Sequence, residues 1–336
     1  MDEAYAPPFH MNDEITSLVI EIGELVGRLN VDPSFSMTPK LRKETRIHTI
    51  YSSLAIEQNT LSLSQVTDVI EGKHVLGPLD DIQEVKNALE AYRLLDSFDP
   101  YSLDDLQAAH RLMMRGLIDE VGTFRTGNVG IFSNDEIIHK GAPPELVPQL
   151  MEQLVEWLEN SPMHPLIKSC LFHCEFEFIH PFMDGNGRIG RLWQTLILMK
   201  WHPMFAWLPV ETLIHEKQGG YYAALNESDR RNDSTVFVTF MLQIISQSLR
   251  DICNRQLLDV VDDVVDDVVD HQMSKAASIL MILKKCPQCS ATEMARMIGL
   301  SSRQVQRILS VLQAEGKLKR NGSPRNGFWE VADRNK

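Results

Sequence analysis

"HPFMDGNGRIGR", residues 180–191, is the stretch on which the reading of this chain turns. It places an imidazole, a carboxylate, three residues of little side-chain bulk and two guanidinium groups within twelve positions. A Gly-rich turn that opens a helix aims bare backbone N–H groups at one point, where the helix dipole is positive. Gly185, Asn186 and Gly187 therefore predict an anion cradle. Arg188 and Arg191 are three apart and share one face of the first turns, and guanidinium forks match phosphate oxygens bidentately. Amides plus two arginines imply more than one phosphate. Asp184 stands just before the cradle, where a carboxylate shares Mg2+ with a bound polyphosphate. His180 leads the stretch, and an imidazole takes a proton near neutral pH. The pattern predicts transfer chemistry on a Mg-nucleotide: His180 deprotonates an attacking hydroxyl while arginines, metal and amides hold phosphate charge. Taken singly, each of these residues reads as structural, since Gly-Asn-Gly is a common turn and Asp a common helix cap. Phe182 is expected to be a core anchor that fixes the loop.

Working outward, a helix over 166–179 enters the stretch and a second leaves it through about Lys200. Further helices are expected over 12–30, 40–58, 103–117, 145–160, 220–228 and 234–256, and one begins at "TLSLSQV", where Ser62 and Gln65 have capping-box spacing. Strand-like alternation is scarce. The exception in the first 270 residues is "GTFRTGNVGIFSNDEIIHKGAPPELV", in which "VGIF" and "EIIHK" flank "SND" and predict a β-hairpin. "VVDDVVDDVVD", Val260 to Asp270, keeps its valines on one slowly drifting helical stripe and reads as a solvated helical connector.

The chain has 336 residues, 43% hydrophobic and 24% charged, as expected of a globular protein with more than one domain. The longest apolar run is broken by Lys200, His202 and Pro203, and the acidic, Pro-containing N-terminus is unlike a signal peptide. The expectation is a cytoplasmic protein with no membrane partner. Five scattered cysteines argue against a disulfide framework, and "CPQC" at 286–289 lacks the second pair a zinc knuckle needs. The net charge of −13 is uneven: residues 272–336 carry twelve Lys+Arg against four Asp+Glu. An acidic body with a basic end suggests two modules with different partners.

The signature at 180–191 resembles that of the Fic family, H-P-F-x-D/E-G-N-G-R-x-x-R, and matches it at every specified position. The resemblance extends over much of 40–250. It implies an all-helical core with a small hairpin flap, transferring AMP from ATP to a Ser, Thr or Tyr hydroxyl of a protein, with Mg2+, and releasing pyrophosphate. Carried over by position, His180 is the general base and Asp184 the metal ligand. Gly185, Asn186, Gly187, Arg188 and Arg191 hold the nucleotide phosphates. The flap, at Val129, Gly130 and Ile131 and at Ile137, Ile138 and His139, pairs with the target as an added strand. Tyr222, in "YYAAL", resembles an adenine contact; a half-buried helical aromatic is the competing reading.

"SSLAIEQNT", residues 52–60, resembles the family's inhibitory helix, S/T-x-x-x-E-G/N. Ser53 and Glu57 are four apart and share a helix face. The resemblance implies that Glu57 pairs with Arg191 and displaces the γ-phosphate. Gln58 departs from the pattern, with Asn59 next, so the helix end and the pose of Glu57 are left for the structure. The same glutamate supports AMP removal in some relatives, so a deAMPylase or bifunctional enzyme is an alternative. So is a DNA-binding regulator with a nucleotide-sensing Fic core. Self-modification and self-association are compatible with either.

From Ser274 on, the pattern resembles a winged helix-turn-helix. "SATEMARMIGL" and "SSRQVQRILSVLQAEG" each open with capping-box spacing, Gly299 lies between them, and "KLKRNGSPRNGFWEV" reads as a basic-tipped hairpin. Arg303, Gln306 and Arg307 would face a DNA major groove, with Lys319, Arg320 and Arg325 near phosphates; a protein-docking module is the alternative. The expected organisation is a mainly α chain: an N-terminal helical region over 1–100 with the inhibitory helix, a Fic core over 101–256, an acidic connector over 257–271, and a winged-helix domain over 272–336.

Overall fold

The computed structural model describes residues 5–31, 39–133, 136–270, 275–298, 300–314, 316–321 and 328–331. The chain divides into two compact units, Met1–Arg250 and Asp251–Lys336. The division falls six residues before the expected boundary at 256/257.

The first unit is built from α1 (Asp13–Val31), α2 (Pro39–Ile56), α3 (Leu63–Ile70), α4 (Leu79–Arg93), α5 (Leu103–Met113), α6 (Val147–Asn160), α7 (Pro165–Ile179), α8 (Asn186–Trp201), α9 (Val210–Glu216) and α10 (Gln218–Arg231). One hairpin interrupts it, β1 (Gly130–Ser133) against β2 (Glu136–Lys140), antiparallel with Ile131 opposite His139. Next comes α11 (Thr235–Asp270), a single 36-residue helix covering both the expected helix at 234–256 and the expected connector. Its stretch Thr235–Cys253 is long and apolar enough to cross a membrane by length and composition. Half of that stretch is buried, with Phe237, Val238, Met241, Leu242, Ile245 and Leu249 inside the first unit's core, as in a core helix.

The pair α7–α8 is the centre of the first unit. α7 is buried on nearly every side, as in a helix surrounded by protein, and Leu166, Cys170, Leu171, Phe172, Cys174 and Phe176 are fully buried. Each large side chain buried in this way contributes about 1.5–3 kcal/mol. Two of the polar groups at the centre are paired as follows. Lys168 donates to the Leu158 carbonyl (2.7 Å) at the end of α6, and Trp193 Nε1–H donates to the Pro100 carbonyl (3.1 Å). Helix α4, not expected from the sequence, holds Asn87, whose Nδ2 donates to the Met113 and Arg115 carbonyls and closes the end of α5.

Two expected elements end differently. The helix expected over 103–117 stops at Met113. The one expected over 40–58 stops at Ile56, because Gln58 takes a left-handed conformation (φ 68°). There Asn59 N–H donates to the Leu54 carbonyl and Gln58 N–H to the Ala55 carbonyl, both at 3.1 Å. This is a Schellman-type ending with glutamine in the position glycine usually takes. The capping box at Ser62 and Gln65 forms as expected.

The second unit contains α12 (Lys275–Lys285), α13 (Ala291–Met297), α14 (Ser302–Ala314) and the hairpin β3 (Leu318–Asn321) with β4 (Phe328–Val331). Ser290–Glu293 and Ser301–Gln304 form capping boxes at the starts of α13 and α14. Val305, Leu309 and Leu312 of α14 close a core with Ile279, Leu283, Met294, Leu318 and Trp329. Helix-turn-helix and wing are therefore present. Gly299 and Arg325 lie outside the described residues.

Candidate active site

The site forms where α7 ends and α8 begins. His180 terminates α7 in a left-handed conformation (φ 51°, ψ 62°), which an L-residue adopts only when its surroundings hold it. Arg125 supplies that hold. Its buried guanidinium donates to four carbonyls: His180 (2.6 Å), Ile179 (3.1 Å), Gly127 (2.8 Å) and Ala142 (2.5 Å). A cation at the negative end of α7 complements the helix dipole. The same group fastens both feet of the β1–β2 hairpin to the helix that carries His180. Burial pulls the Arg125 pKa down from its ordinary value. His180 Nδ1 lies 3.3 Å from the Glu177 carbonyl oxygen, which can only accept, so Nδ1 carries the proton and Nε2 is left with the lone pair of a base.

The loop between the helices is closed from within. Asn186 Oδ1 accepts from Phe182 N–H and its Nδ2 donates to the Phe182 carbonyl, both at 2.8 Å. The Asn186 side chain is thus spent on the loop, and its contribution to an anion cradle is confined to its backbone N–H. Phe182 is fully buried and stacks on His110 (centroids 3.7 Å apart, 7° between planes). His110 bridges the loop further. Its Nδ1 accepts from Gly122 N–H (2.8 Å), and its Nε2, which then carries the proton, donates to the Asp184 carbonyl (2.9 Å). Burial pushes the His110 pKa down to about 4, so the ring is neutral near pH 7. Gly185 sits at φ 83° as the cap of α8, and a Cβ there would meet Met114 Sδ at 2.6 Å.

Each signature arginine meets a carboxylate. Arg191, 2% exposed, donates through Nη2 to Glu57 Oε1 (2.7 Å) and to the Ser53 carbonyl (3.0 Å), and through Nε to Ser53 Oγ (3.2 Å). Burial works against its charge, but Glu57 and Glu177 outweigh that and raise its pKa. Glu57 Oε1 also lies directly over Gly187, close enough that a Cβ there would collide with it. The Glu57 carboxylate therefore sits on the N-terminal turn of α8, where a helix receives an anion. Arg188 donates to Glu84 Oε1 (2.5 Å) on α4 and to Asp184 Oδ1 (3.1 Å). Glu84 Oε2 in turn accepts from Asn59 Nδ2 (2.7 Å), just beyond the end of α2. Asp184 keeps more than half of its side chain exposed at the mouth of the loop. Tyr222 is half-buried on α10, its ring 5.3 Å from that of Tyr221, and burial followed by Glu57 raises its pKa.

The Fic/DOC family model matches residues 100–198, and the IclR helix-turn-helix domain model matches residues 273–322. A crystal structure of a Fic family protein from Desulfovibrio desulfuricans G20 is 42% identical, covers 99% of this chain and 100% of its own, and superposes with a TM-score of 0.72. The chain belongs to the Fic family. Among Fic relatives, the protein adenylyltransferase fic-1 of Caenorhabditis elegans is 30% identical over 227 residues, 63% of this chain and 42% of its own. The protein adenylyltransferase Fic of Nematostella vectensis is 29% identical over 223 residues, 62% of this chain and 48% of its own. This Fic chain thus spans less than half the length of those curated relatives. A solved structure of C. elegans Fic-1 aligns at 25% identity with a TM-score of 0.57, covering 70% of this chain and 71% of that one.

Apart from Tyr222 on α10, the described residues singled out from sequence fall into three groups. His180, Asp184, Gly185, Asn186, Gly187, Arg188, Arg191, Ser53 and Glu57 meet in one place. The Val129–Ile131 and Ile137–His139 segments form the hairpin that Arg125 anchors beside His180. Arg303, Gln306, Arg307 and Lys319 are exposed in the second unit, and the Arg320 guanidinium stacks over Trp329 (4.9 Å). Sequence reasoning missed Glu84, His110, Arg125 and Glu177, which lie between 3 and 96 positions from His180 and show no local pattern.

Proposed function

We propose that this Fic protein is a protein adenylyltransferase, moving AMP from ATP to a Ser, Thr or Tyr hydroxyl of a protein and restrained by its own Glu57. The observation that carries the reading is the seat of Glu57: a carboxylate already rests on the N-terminus of α8 against Arg191. A site that fits one anion there fits the terminal phosphate of a nucleotide, and the two compete for the same fork. His180, with Nε2 as its base, stands at the end of the preceding helix to take the proton of the attacking hydroxyl. Gly187 leaves the backbone bare where phosphate oxygens approach, and Arg188 and Arg191 orient the leaving pyrophosphate. The hairpin offers a strand edge to a target backbone.

Asp184 fits a magnesium ion: it is a hard oxygen donor, exposed at the mouth of the cradle. Bound there with the nucleotide, the ion would neutralise phosphate charge. Incubation with labelled ATP and Mg2+ tests the reading. Glu57→Gly is expected to raise label transfer, including self-modification, and His180→Ala to abolish it. Equal incorporation by wild type and Glu57→Gly would overturn the brake, and no incorporation by Glu57→Gly on any protein of a cell extract would overturn the transferase.

The seat of Glu57 also favours a second activity. With AMP bound and no terminal phosphate present, the Glu57 carboxylate keeps its seat and can accept a proton from water, so the same residue would support AMP removal from a modified target. Release of AMP from modified protein by wild type, lost in Glu57→Gly, would identify that activity. For the second unit we propose duplex DNA as the partner, from the exposed Arg303, Gln306 and Arg307 on α14 and Lys319 on β3. DNA retention that weakens steeply with salt and is lost in the Arg303→Ala/Arg307→Ala variant supports it; no retention at low salt points instead to protein docking.

A further inference from the structure

Below His180 lies a carboxylate to which the chemistry above assigns no role. Glu177 sits one turn back on α7, 7% exposed. Its Oε2 is 4.0 Å from His180 Nδ1, the ring nitrogen that its own carbonyl holds at 3.3 Å. Among the described residues, no hydrogen-bond donor reaches its buried Oε1. The nearest candidate, His173 Nε2, is 3.7 Å away and engaged with the Tyr221 hydroxyl (3.0 Å), while His173 Nδ1 is engaged with Gln194 Oε1 (2.6 Å). A buried oxygen without a donor costs about 1–3 kcal/mol, so packing alone does not recommend a glutamate here.

The charges around this pair come from several elements. From α7 come His173 and the neutral Cys174; from α8, Arg191; from α10, the phenols Tyr221 and Tyr222; from the loop after α5, Arg125, which holds the His180 carbonyl. Arg191 already meets Glu57, and Arg125 meets only carbonyl oxygens among its described partners. A cation formed on the His180 ring would have the Glu177 carboxylate at 4.0 Å. Although burial opposes it, Glu177 is held below the ordinary glutamate pKa by His173, His180 and Arg191, consistent with an anion at this position.

We propose that Glu177 is a positioning residue for His180: its backbone carbonyl holds the Nδ1–H tautomer, and its carboxylate stabilises the imidazolium formed when Nε2 takes the proton of the attacking hydroxyl. This rests on the adenylyltransferase reading. In that step the hydroxyl oxygen bonds to the α-phosphorus, the bond from that phosphorus to the pyrophosphate oxygen breaks, and the hydroxyl proton moves to Nε2, later passing to solvent. As in a carboxylate–imidazole pair, the acid never itself takes the proton, here acting across 4.0 Å rather than through a hydrogen bond.

The test uses Glu177→Gln in the full-length Glu57→Gly protein. An opposite charge within about 4–6 Å shifts a pKa by 1–3 units, and Oε2 lies at the near end of that range. His180, followed by NMR titration of its ring C–H and assigned with His180→Ala, is expected to lose about one pH unit in pKa. The acid limb of kcat for label transfer is expected to move to lower pH by the same amount, with kcat reduced about threefold to tenfold and KM for ATP within about twofold. An unmoved His180 titration in a folded Glu177→Gln protein overturns the proposal. A shifted titration without any label transfer upholds the pairing and refutes the adenylyltransferase reading instead. If Glu177→Gln does not fold, Glu177→Met serves with the same readouts: a lowered His180 titration supports the charge, and an unmoved one in a folded protein overturns it.

Discussion

Gln58 is the position at which this chain departs from the Fic inhibitory pattern, and it offers a sharp test of how Glu57 is held. Gln58 adopts φ 68° so that its own N–H and that of Asn59 can satisfy the last carbonyls of α2, leaving Glu57 as the final residue before the reversal. An L-residue in the left-handed region costs about 1–2 kcal/mol. Glycine removes that strain but adds about 0.5–1 kcal/mol of unfolded-chain freedom. The side chain of Gln58 is exposed, so little else changes. The net for Gln58→Gly is a gain of about 0.5–1 kcal/mol. Unfolding entropy of about 2.1 cal/mol/K per residue, over the 250 residues of the first unit, is about 0.5 kcal/mol/K. The Tm of that unit should therefore rise by about 1–2 °C. Gln58→Val, which puts a β-branched residue in the same conformation, should lower it by at least as much. Differential scanning calorimetry reads both. Because the turn fixes Glu57, basal label transfer by Gln58→Gly should be no higher than wild type. A Tm for Gln58→Gly below wild type, or for Gln58→Val above it, would refute a left-handed Gln58 and with it this account of the pose of Glu57.

Gly187→Ala should destabilise the wild-type protein by at least about 1 kcal/mol and much less in a Glu57→Gly background, because the new Cβ collides with Glu57 Oε1; additive denaturation midpoints in the double-mutant cycle would contradict that contact. Arg125→Met strands four carbonyls at the end of α7 and the feet of the hairpin, and should lower stability by about 2–4 kcal/mol while reducing label transfer, read by urea unfolding and by the transfer assay. His110 has a folded pKa near 4, below its ordinary value of 6.5, so the stability it contributes is complete above about pH 6.5 and is lost as pH falls toward 4. That contribution is at most about 3 kcal/mol, and His110→Gln should flatten the acid side of the stability curve between those limits.

The signature at 180–191 was legible because its chemistry is local: base, carboxylate, bare backbone and two forks follow one another within a single turn between helices. Ser53 and Glu57 were legible for the same reason, four apart on one helix, as were the hairpin and the capping boxes of α3, α13 and α14. Helix lengths were less legible. Valine and aspartate are poor helix formers, yet the repeat at 260–270 continues α11 through to Asp270. The end of α2 depended on Gln58 accepting a conformation that its side chain disfavours.

What only the tertiary structure decided is which charges meet. Glu84 reaches Arg188 across 104 positions, Arg125 reaches the His180 carbonyl across 55, and His110 reaches the loop carbonyl of Asp184 across 74. A motif repeats along the chain because its parts share a backbone geometry. These partners share none: each is a single polar residue on an otherwise ordinary helix or loop, and its role exists only once apolar packing has buried it beside its partner, where an unpaired charge or carbonyl would be costly.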